Sequence, residues 1–193
     1  KADEDILKLG GVTGEGDLYL AAFKTARSRF GWLGINLVTA IMASISIAVF
    51  ETTLEKLVSL AILMPIVASM GGNAGTQSLT VSVRALATKE LTAKNAMKII
   101  GKETFVGGIN GIIFAFLVGL LASYWFGDSL LGFVIAIAMI LNLLIAGLAG
   151  TLIPITLNKL NIDPALASGV ILTTITDVFG FLSFLGLASI FII

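Results

Sequence analysis

The chain has 193 residues, of which 57% are apolar and 12% charged, far below the roughly 25% charge of an ordinary soluble domain. Twelve basic residues balance twelve acidic ones, so the net charge points to no nucleic-acid partner. The chain has no Cys and no His, which excludes thiolate and imidazole metal sites and leaves oxygen ligands, the kind that Mg²⁺ and Ca²⁺ prefer.

The first 30 residues are the most polar part of the chain. They begin with KADEDILKLGGVTGEGDLYL, which is too long and too acidic for a signal peptide. Because the sequence opens at Lys1 without Met, we expect a truncated N-terminus. We interpret residues 1–30 as the end of a soluble regulatory region followed by an amphipathic connecting helix, and residues 31–193 as a five-helix transmembrane pore domain.

Five apolar segments are each long enough to cross about 30 Å of hydrocarbon, which takes about 20 residues in a helix. They run from Trp32 to Phe50, Leu57 to Leu79, Phe105 to Phe126, Leu131 to Leu157 and Pro164 to Ile193. The prediction is therefore an all-α membrane protein with five transmembrane helices per chain.

The basic residues predict how these helices are oriented. One side of the predicted bundle carries Lys24, Arg27, Arg29, Arg84, Lys89, Lys94, Lys98, Lys102 and Lys159, whereas the loops of the other side carry only Lys56. The positive-inside rule then puts the N-terminus in the cytoplasm, and an odd number of spans puts the C-terminus outside. We predict a multi-pass protein of the cell inner (plasma) membrane.

Two loops suggest helix boundaries with acidic residues beside them. Asp163 precedes Pro164, so we expect Asp163 to cap the fifth span, although the same carboxylate could bind a cation at a pore entrance. The basic stretch from Lys89 to Lys102 is interpreted either as an amphipathic helix on the membrane surface or as a solvated linker. Glu103 is expected to open the third span, either as a metal ligand or only as a partner of the helix dipole.

Asp177 is the only acidic residue deep inside a predicted span, where an ionised side chain costs roughly 2.5 to 3.5 kcal/mol. No Lys, Arg or His lies at comparable depth, so its partner is a proton, water or a bound metal ion. Gly169, Thr173 and Gly180 share its helical face, and small, oxygen-bearing residues leave space beside a carboxylate. The alternative is a protonated Asp177 that ties helices together by hydrogen bonds.

The second span is unusually polar and glycine-rich. Asn73 and Gln77 are one turn apart, and Gly71 and Gly72 each weaken a helix by about 1 kcal/mol relative to Ala. We expect a local break here that lines a pore, the alternative being a packing motif of small residues with amide cross-links. Because Asp177 alone brings too little charge to hold a divalent ion, we also expect a homodimer.

Two strings, PIVASMGGNAGTQSLTVSVRALATKEL and NIDPALASGVILTTITDVFGFLSF, closely resemble the MgtE family of magnesium channels. The motifs GGNxGxQS, RALAT and DPA followed by TxxDVxG are specific in combination, and the resemblance covers nearly the whole chain. It implies a homodimer in the lipid bilayer, with the second and fifth spans of both subunits lining a central ion path. It also implies cytoplasmic CBS-type regulatory domains ahead of the connecting helix, which are missing here.

The resemblance assigns roles to individual residues as well. Asp177 matches the family's pore aspartate, Asn73 lies in its polar second-helix motif, and Asp163 matches the acidic residue at the start of the fifth helix. Thr173 falls where a backbone carbonyl faces the ion. Thr76 departs from the pattern, because some relatives have Asn there.

These observations predict a magnesium channel in which Asp177 holds the hydrated ion as it moves down its electrochemical gradient. The candidate metal-binding residues are Asp177, Thr173, Asn73, Asp163, Gly169 and Glu103. Ca²⁺, Mn²⁺ and Co²⁺ remain alternative ions, and a proton- or sodium-coupled carrier or a structural helix bundle remain alternative functions. We expect no enzymatic activity, because GxSxG and metalloprotease motifs are absent along with Cys and His.

Overall fold

The computed structural model describes Lys8 and residues 22–192, and within that part of the chain the regular structure is helical. The helices are α1 (Ala22–Ala48), α2 (Glu51–Lys56), α3 (Val58–Ala87), α4 (Ala96–Phe126), α5 (Ser129–Lys159) and α6 (Pro164–Phe191). All but the short α2 are long and apolar enough to cross a membrane, which confirms the five predicted spans. Most of the expected regulatory end and connecting helix, residues 1–30, lies outside the described residues.

Side-chain caps fix where two of these helices begin. Asp163 Oδ1 accepts a hydrogen bond from Ala165 N at 3.0 Å, with Pro164 at the first helical position. Asp128 Oδ1 accepts from Leu130 N at 2.8 Å and caps α5 in the same way. Each cap satisfies a backbone N–H that has no partner inside its helix. The predicted cap at Asp163 is confirmed.

The expected break in the second span is wrong, because α3 continues without interruption through Gly71 and Gly72. Tertiary packing compensates for the low helix propensity of Gly71. Gly71 and Gly75 are buried against α5 and α6, with Asn142 beside the first and Leu172 beside the second. The small residues of this motif therefore bring helices together and do not unwind α3.

For the loop before α4, residues 88–95 match the linker interpretation and not the surface helix. Residues 88–95 form turns, and α4 then begins at Ala96, so no separate surface helix exists in this described segment. Ala96, Ile99 and Ile100 explain the early start, because they pack with Ile155 of α5 in a small apolar cluster. Glu103 consequently lies two turns inside α4 and does not open it.

Helix α5 is the centre of the bundle and packs against α3, α4 and α6. Close backbone approach makes the α4–α5 contact tight: a Cβ at Gly147 would lie 2.5 Å from the Glu103 carbonyl oxygen. Helix α1 packs mainly on α6 and buries only Ala43. Helices α3 and α6 therefore share a covered side toward α5 and a far more open side toward α1.

Candidate ion-binding site

A cavity of about 240 Å³ lies on this open side, between α1, α3 and α6. Its lining residues are Trp32, Asn36, Thr76, Leu79, Thr80, Gly169, Val170 and Thr173. The structure thus brings the predicted residues Gly169 and Thr173 together with the hydroxyls of α3. We call Asn73, Thr76 and Thr80 of α3, with Gly169, Thr173 and Asp177 of α6, the polar stripe.

Every threonine hydroxyl in the polar stripe uses its hydrogen inside its own helix. Thr76 Oγ1 donates to the Gly72 carbonyl at 2.8 Å, and Thr80 Oγ1 donates to the Thr76 carbonyl at 2.8 Å. Thr173 Oγ1 likewise donates to the Gly169 carbonyl at 3.0 Å. A hydroxyl has one hydrogen and two lone pairs, so each oxygen can only accept further hydrogen bonds.

The two amides near the cavity repeat this pattern. Asn36 Nδ2 donates to the Trp32 carbonyl at 3.1 Å, and Asn73 Nδ2 donates to Ser69 Oγ at 3.3 Å. Each amide gives one of its two N–H donors to its own helix and keeps its carbonyl oxygen as an acceptor. The surface consequently offers more oxygen acceptors than donors, which is the chemistry that suits a hydrated cation.

Asp177 and Asn73 do not line the cavity itself, but neighbouring contacts place them within about one helical turn of each other along the bundle axis. A Cβ at Gly75 would lie 2.9 Å from Leu172 Cδ1, and a Cβ at Gly180 would lie 3.3 Å from Val67 Cγ1. Since α3 and α6 run in opposite directions, Asn73 and Asp177 both lie between these two contacts, about one turn beyond the cavity.

The half-buried carboxylate of Asp177 has no hydrogen-bond or ion-pair partner within residues 22–192. The same residues contain no cluster of three or more acidic groups that could by itself hold a metal. A carboxylate in an apolar helix with no cation beside it needs water, a proton or a metal ion. Asp177 therefore remains the strongest single candidate in the polar stripe.

Asp163 lies apart from the cavity, at the end of the bundle where α6 begins. Its Oδ2 accepts a hydrogen bond from Lys8 Nζ at 2.8 Å, while Oδ1 caps the helix. The hydrogen bond from Lys8 lowers the pKa of Asp163, the backbone donors Ala165 and Leu166 act in the same direction, and burial partly opposes them. Asp163 is thus engaged in a cap and an ion pair, in a separate cavity of about 560 Å³.

Glu103 lies behind α3, on the side opposite the polar stripe. It is buried, its Oε2 accepts a hydrogen bond from Ser78 Oγ at 3.0 Å, and Lys102 Nζ lies 3.8 Å from its Oε1. Ser78 is about 160° around the helix from Thr76, because residues are 100° apart. The structure does not bring Glu103 together with the other candidates, and instead joins it to the buried face of α3.

Two polar residues escaped sequence reasoning. Asn36 of α1 lines the cavity, and Asn142 of α5 lies fully buried beside Gly71 and Gly180. Asn36 and Asn142 are polar residues inside otherwise apolar runs, a signal that was present in the sequence. Composition could not reveal which neighbouring helix each amide faces.

The fold defines a multi-pass helical membrane protein, and a polar cavity among membrane-length helices is typical of proteins that move solutes. Residues 64–187 match the model of the MgtE family, described as divalent cation transporters. The chain belongs to the MgtE family.

Named relatives agree with this assignment. The magnesium transporter MgtE of Bacillus subtilis is 37% identical over 196 residues, which cover 100% of this chain and 43% of that protein. The same-named protein of Thermus thermophilus is 37% identical over 191 residues, 97% of this chain and 42% of that protein. That of Enterococcus faecalis is 35% identical over 195 residues, covering 99% and 42%. The chain thus spans less than half the length of these relatives.

Proposed function

We propose that this chain forms the pore of a magnesium channel, in which Mg²⁺ crosses the membrane down its electrochemical gradient. The observation that carries the proposal is the acceptor-rich polar stripe beside the Asp177 carboxylate, which has no partner among residues 22–192. The names of the relatives, all magnesium transporters, support the choice of ion.

The ion is held with its water shell. Mg²⁺ gives up water reluctantly, and the waters bound to it are strong hydrogen-bond donors. Oxygens that can only accept, such as those of Thr76, Thr173 and Asn73, match those donors. Asp177 adds the negative charge, so a hydrated ion can be held without losing its inner ligands. Gly169 leaves room for the water shell, while Asp163 lies nearer the entrance.

Two copies of the chain are needed to enclose this path. Asn73, Thr76, Thr80 and Thr173 are exposed on helices that are long and apolar enough for a membrane, and exposed polar groups there avoid lipid by lining water. In a homodimer the two polar stripes would face each other and bring two Asp177 carboxylates to one ion. Native mass spectrometry in detergent tests this: only monomers at high protein concentration would contradict the dimer.

The membrane potential can drive the flux. The proposed location is the cell inner (plasma) membrane, with the basic loops in the cytoplasm. A divalent ion that moves inward then gains about 4.6 kcal/mol per 100 mV of membrane potential, twice the single-charge value. Labelling of a single Cys introduced at Lys94 from each side of the membrane tests this orientation. Access from the outside alone would reverse it.

Asp177→Asn is the decisive variant for the proposed function. The amide has nearly the same size but no charge, so the fold should remain while Mg²⁺ uptake into proteoliposomes falls by at least about 100-fold, the upper end of what losing an outer-shell partner costs at metal sites. Asp128→Asn is the matched control, because Asp128 caps α5 away from the polar stripe and Asn caps a helix nearly as well.

Asp163→Asn should reduce uptake less than Asp177→Asn, for the same capping reason. Folded Asp177→Asn protein that takes up Mg²⁺ at the wild-type rate would overturn the proposal.

Competition by Ca²⁺, Mn²⁺ and Co²⁺ in the same assay measures ion choice. Sustained unitary currents in a planar bilayer are expected for a channel, whereas a proton- or sodium-coupled carrier would give slow turnover without them. This chain covers 43% of the Bacillus subtilis relative, and regulatory CBS-type domains are the proposed partners in the uncovered part of the whole protein.

A further inference from the structure

Asn142 is an amide in the buried middle of the central helix α5. Its side chain is 1% exposed, and its Nδ2 donates to the Val67 carbonyl of α3 at 2.8 Å. Its Oδ1 is buried and has no hydrogen-bond partner among the described residues. A buried amide with an unsatisfied oxygen stabilises a bundle less well than an apolar side chain of the same size. Stability alone does not explain an asparagine at this position.

Asn142 lies between two glycines on the two helices that carry the polar stripe. A Cβ at Gly71 of α3 would overlap the Asn142 amide, and a Cβ at Gly180 of α6 would lie 2.9 Å from Asn142 Nδ2. Such short approaches to a Cβ force something to move. The amide therefore fills the junction of α3, α5 and α6, and glycine at both positions leaves the space for it.

Both glycines are close to the predicted pore residues along the chain. Gly71 is two residues before Asn73, and Gly180 is three residues after Asp177. With a rise of 1.5 Å per residue, each glycine is within about 5 Å of its neighbour along the helix axis. Asn142 thus contacts both stripe helices from behind, at the level of the Asp177 carboxylate.

We propose that Asn142 is a positioning residue that fixes the separation of α3 and α6, and thereby the width of the ion path at Asp177. This inference rests on the proposed function. The hydrogen bond to Val67 holds the amide to α3, while its contact with Gly180 sets how closely α6 can approach. Because the ion is held with its water shell, a change in path width alters which hydrated ions fit. Asn142 therefore controls ion choice as well as rate.

The test compares Mg²⁺ and Ca²⁺ uptake by proteoliposomes containing the wild type, Asn142→Leu and Ser59→Ala, because the inner water shell of hydrated Ca²⁺ is larger than that of hydrated Mg²⁺. Leu has a similar size but cannot bond to Val67, so Mg²⁺ uptake should fall about tenfold and the Mg²⁺ to Ca²⁺ ratio should change, as small misplacements at functional sites do. Ser59→Ala is the control, because it removes a buried hydroxyl at the start of α3 that, like Asn142 Oδ1, has no hydrogen-bond partner among the described residues. Ser59→Ala should leave rate and ratio unchanged.

A second set of variants covers the case in which Asn142→Leu does not fold. Gly180→Ala should lower uptake because its Cβ presses on the amide, and combining it with Asn142→Ala should restore part of the rate and the ion ratio by making room. Contacting residues couple in stability whatever their role, so a purely structural role predicts partial recovery of the rate but a wild-type ion ratio in every folded variant.

Wild-type rate and ion ratio in folded Asn142→Leu, or a wild-type ion ratio in folded Gly180→Ala, would overturn the inference while leaving the proposed function intact. Absence of Mg²⁺ uptake by the wild type would instead overturn the proposed function.

Discussion

The two faces of α3 use the same residue types for opposite purposes. On the buried face, Gly71 and Gly75 let α5 and α6 approach α3 closely, and Ser78 donates a hydrogen bond to the carboxylate of Glu103 on α4. On the open face, no heavy atom of the described residues lies within 4 Å of a Cβ added to Gly72, and among the same residues Thr76 bonds only to its own helix. Small polar residues in a membrane helix therefore carry no fixed meaning, because the neighbouring helix decides whether they pack or line water.

The strongest test of the difference between the two faces of α3 is a pair of glycine substitutions, one at each face. Gly150→Ala would put a Cβ 2.6 Å from the Gly75 carbonyl oxygen of α3, so we expect a loss of about 3 kcal/mol in the free energy of unfolding, toward the upper end for overpacking. Gly72→Ala has open space and should gain up to about 1 kcal/mol from helix propensity.

Thermal unfolding of both variants in detergent measures the difference. Equal stability of the two would mean that the buried and open faces of α3 are not distinct. Mg²⁺ uptake by Gly72→Ala adds a second readout, since a methyl group beside the polar stripe would narrow the path without harming the fold.

Ser78→Ala tests the buried face alone. The substitution removes the hydroxyl that donates to Glu103 and leaves a buried carboxylate oxygen without its partner, so we expect a loss of about 2 kcal/mol in stability. Ser82→Ala is the control, because Ser82 is also buried on α3 but donates only to the Ser78 carbonyl of its own helix. Denaturation of both variants should separate them, and equal midpoints would argue against the Glu103 contact.

Thr76→Val tests the open face and has the smallest expected effect on stability, within about 0.5 kcal/mol, as for other exposed sites. It removes one acceptor from the polar stripe, so Mg²⁺ uptake should fall roughly three- to tenfold, the equivalent of one ordinary hydrogen bond. Thr156→Val removes an exposed hydroxyl of α5 that likewise bonds one turn back, to the Leu152 carbonyl. Uptake by this control should be unchanged, and an equal loss in both variants would remove Thr76 from the ion path.

Much of the fold could be predicted because hydrocarbon thickness limits what a spanning segment can be. The five spans follow from run length alone, and the cap at Asp163 follows from an Asp before a Pro. The structure extends each of the first four spans into neighbouring polar residues, as at Lys102, because a helix does not end where its hydrophobicity ends. The six-residue α2 was missed, since it is too short to give a periodic signal.

The candidate site was only partly accessible to sequence reasoning. Thr173 and Gly169 were found because they repeat on one face of a single helix, and the structure puts both in the cavity. Contacts between helices follow no such period. The bond of Ser78 to Glu103 and the position of Asn142 between two glycines depend on helices distant in sequence, so they became visible only in three dimensions.

The sparse packing of α1 has a consequence for how this bundle is assembled. Only Ala43 of this helix is buried, and Trp32 and Asn36 line the cavity, so most of the remaining surface is left to contact lipid or another chain. Its stability in the membrane then comes from partitioning into hydrocarbon, and its attachment to α6 from a few weak contacts. Insertion and docking of α1 are separable events. Exchanges of one apolar residue for another along its outer face, for example at Leu37 or Ile41, should therefore leave stability unchanged. The four helices from α3 to α6, by contrast, pack against one another and must assemble together.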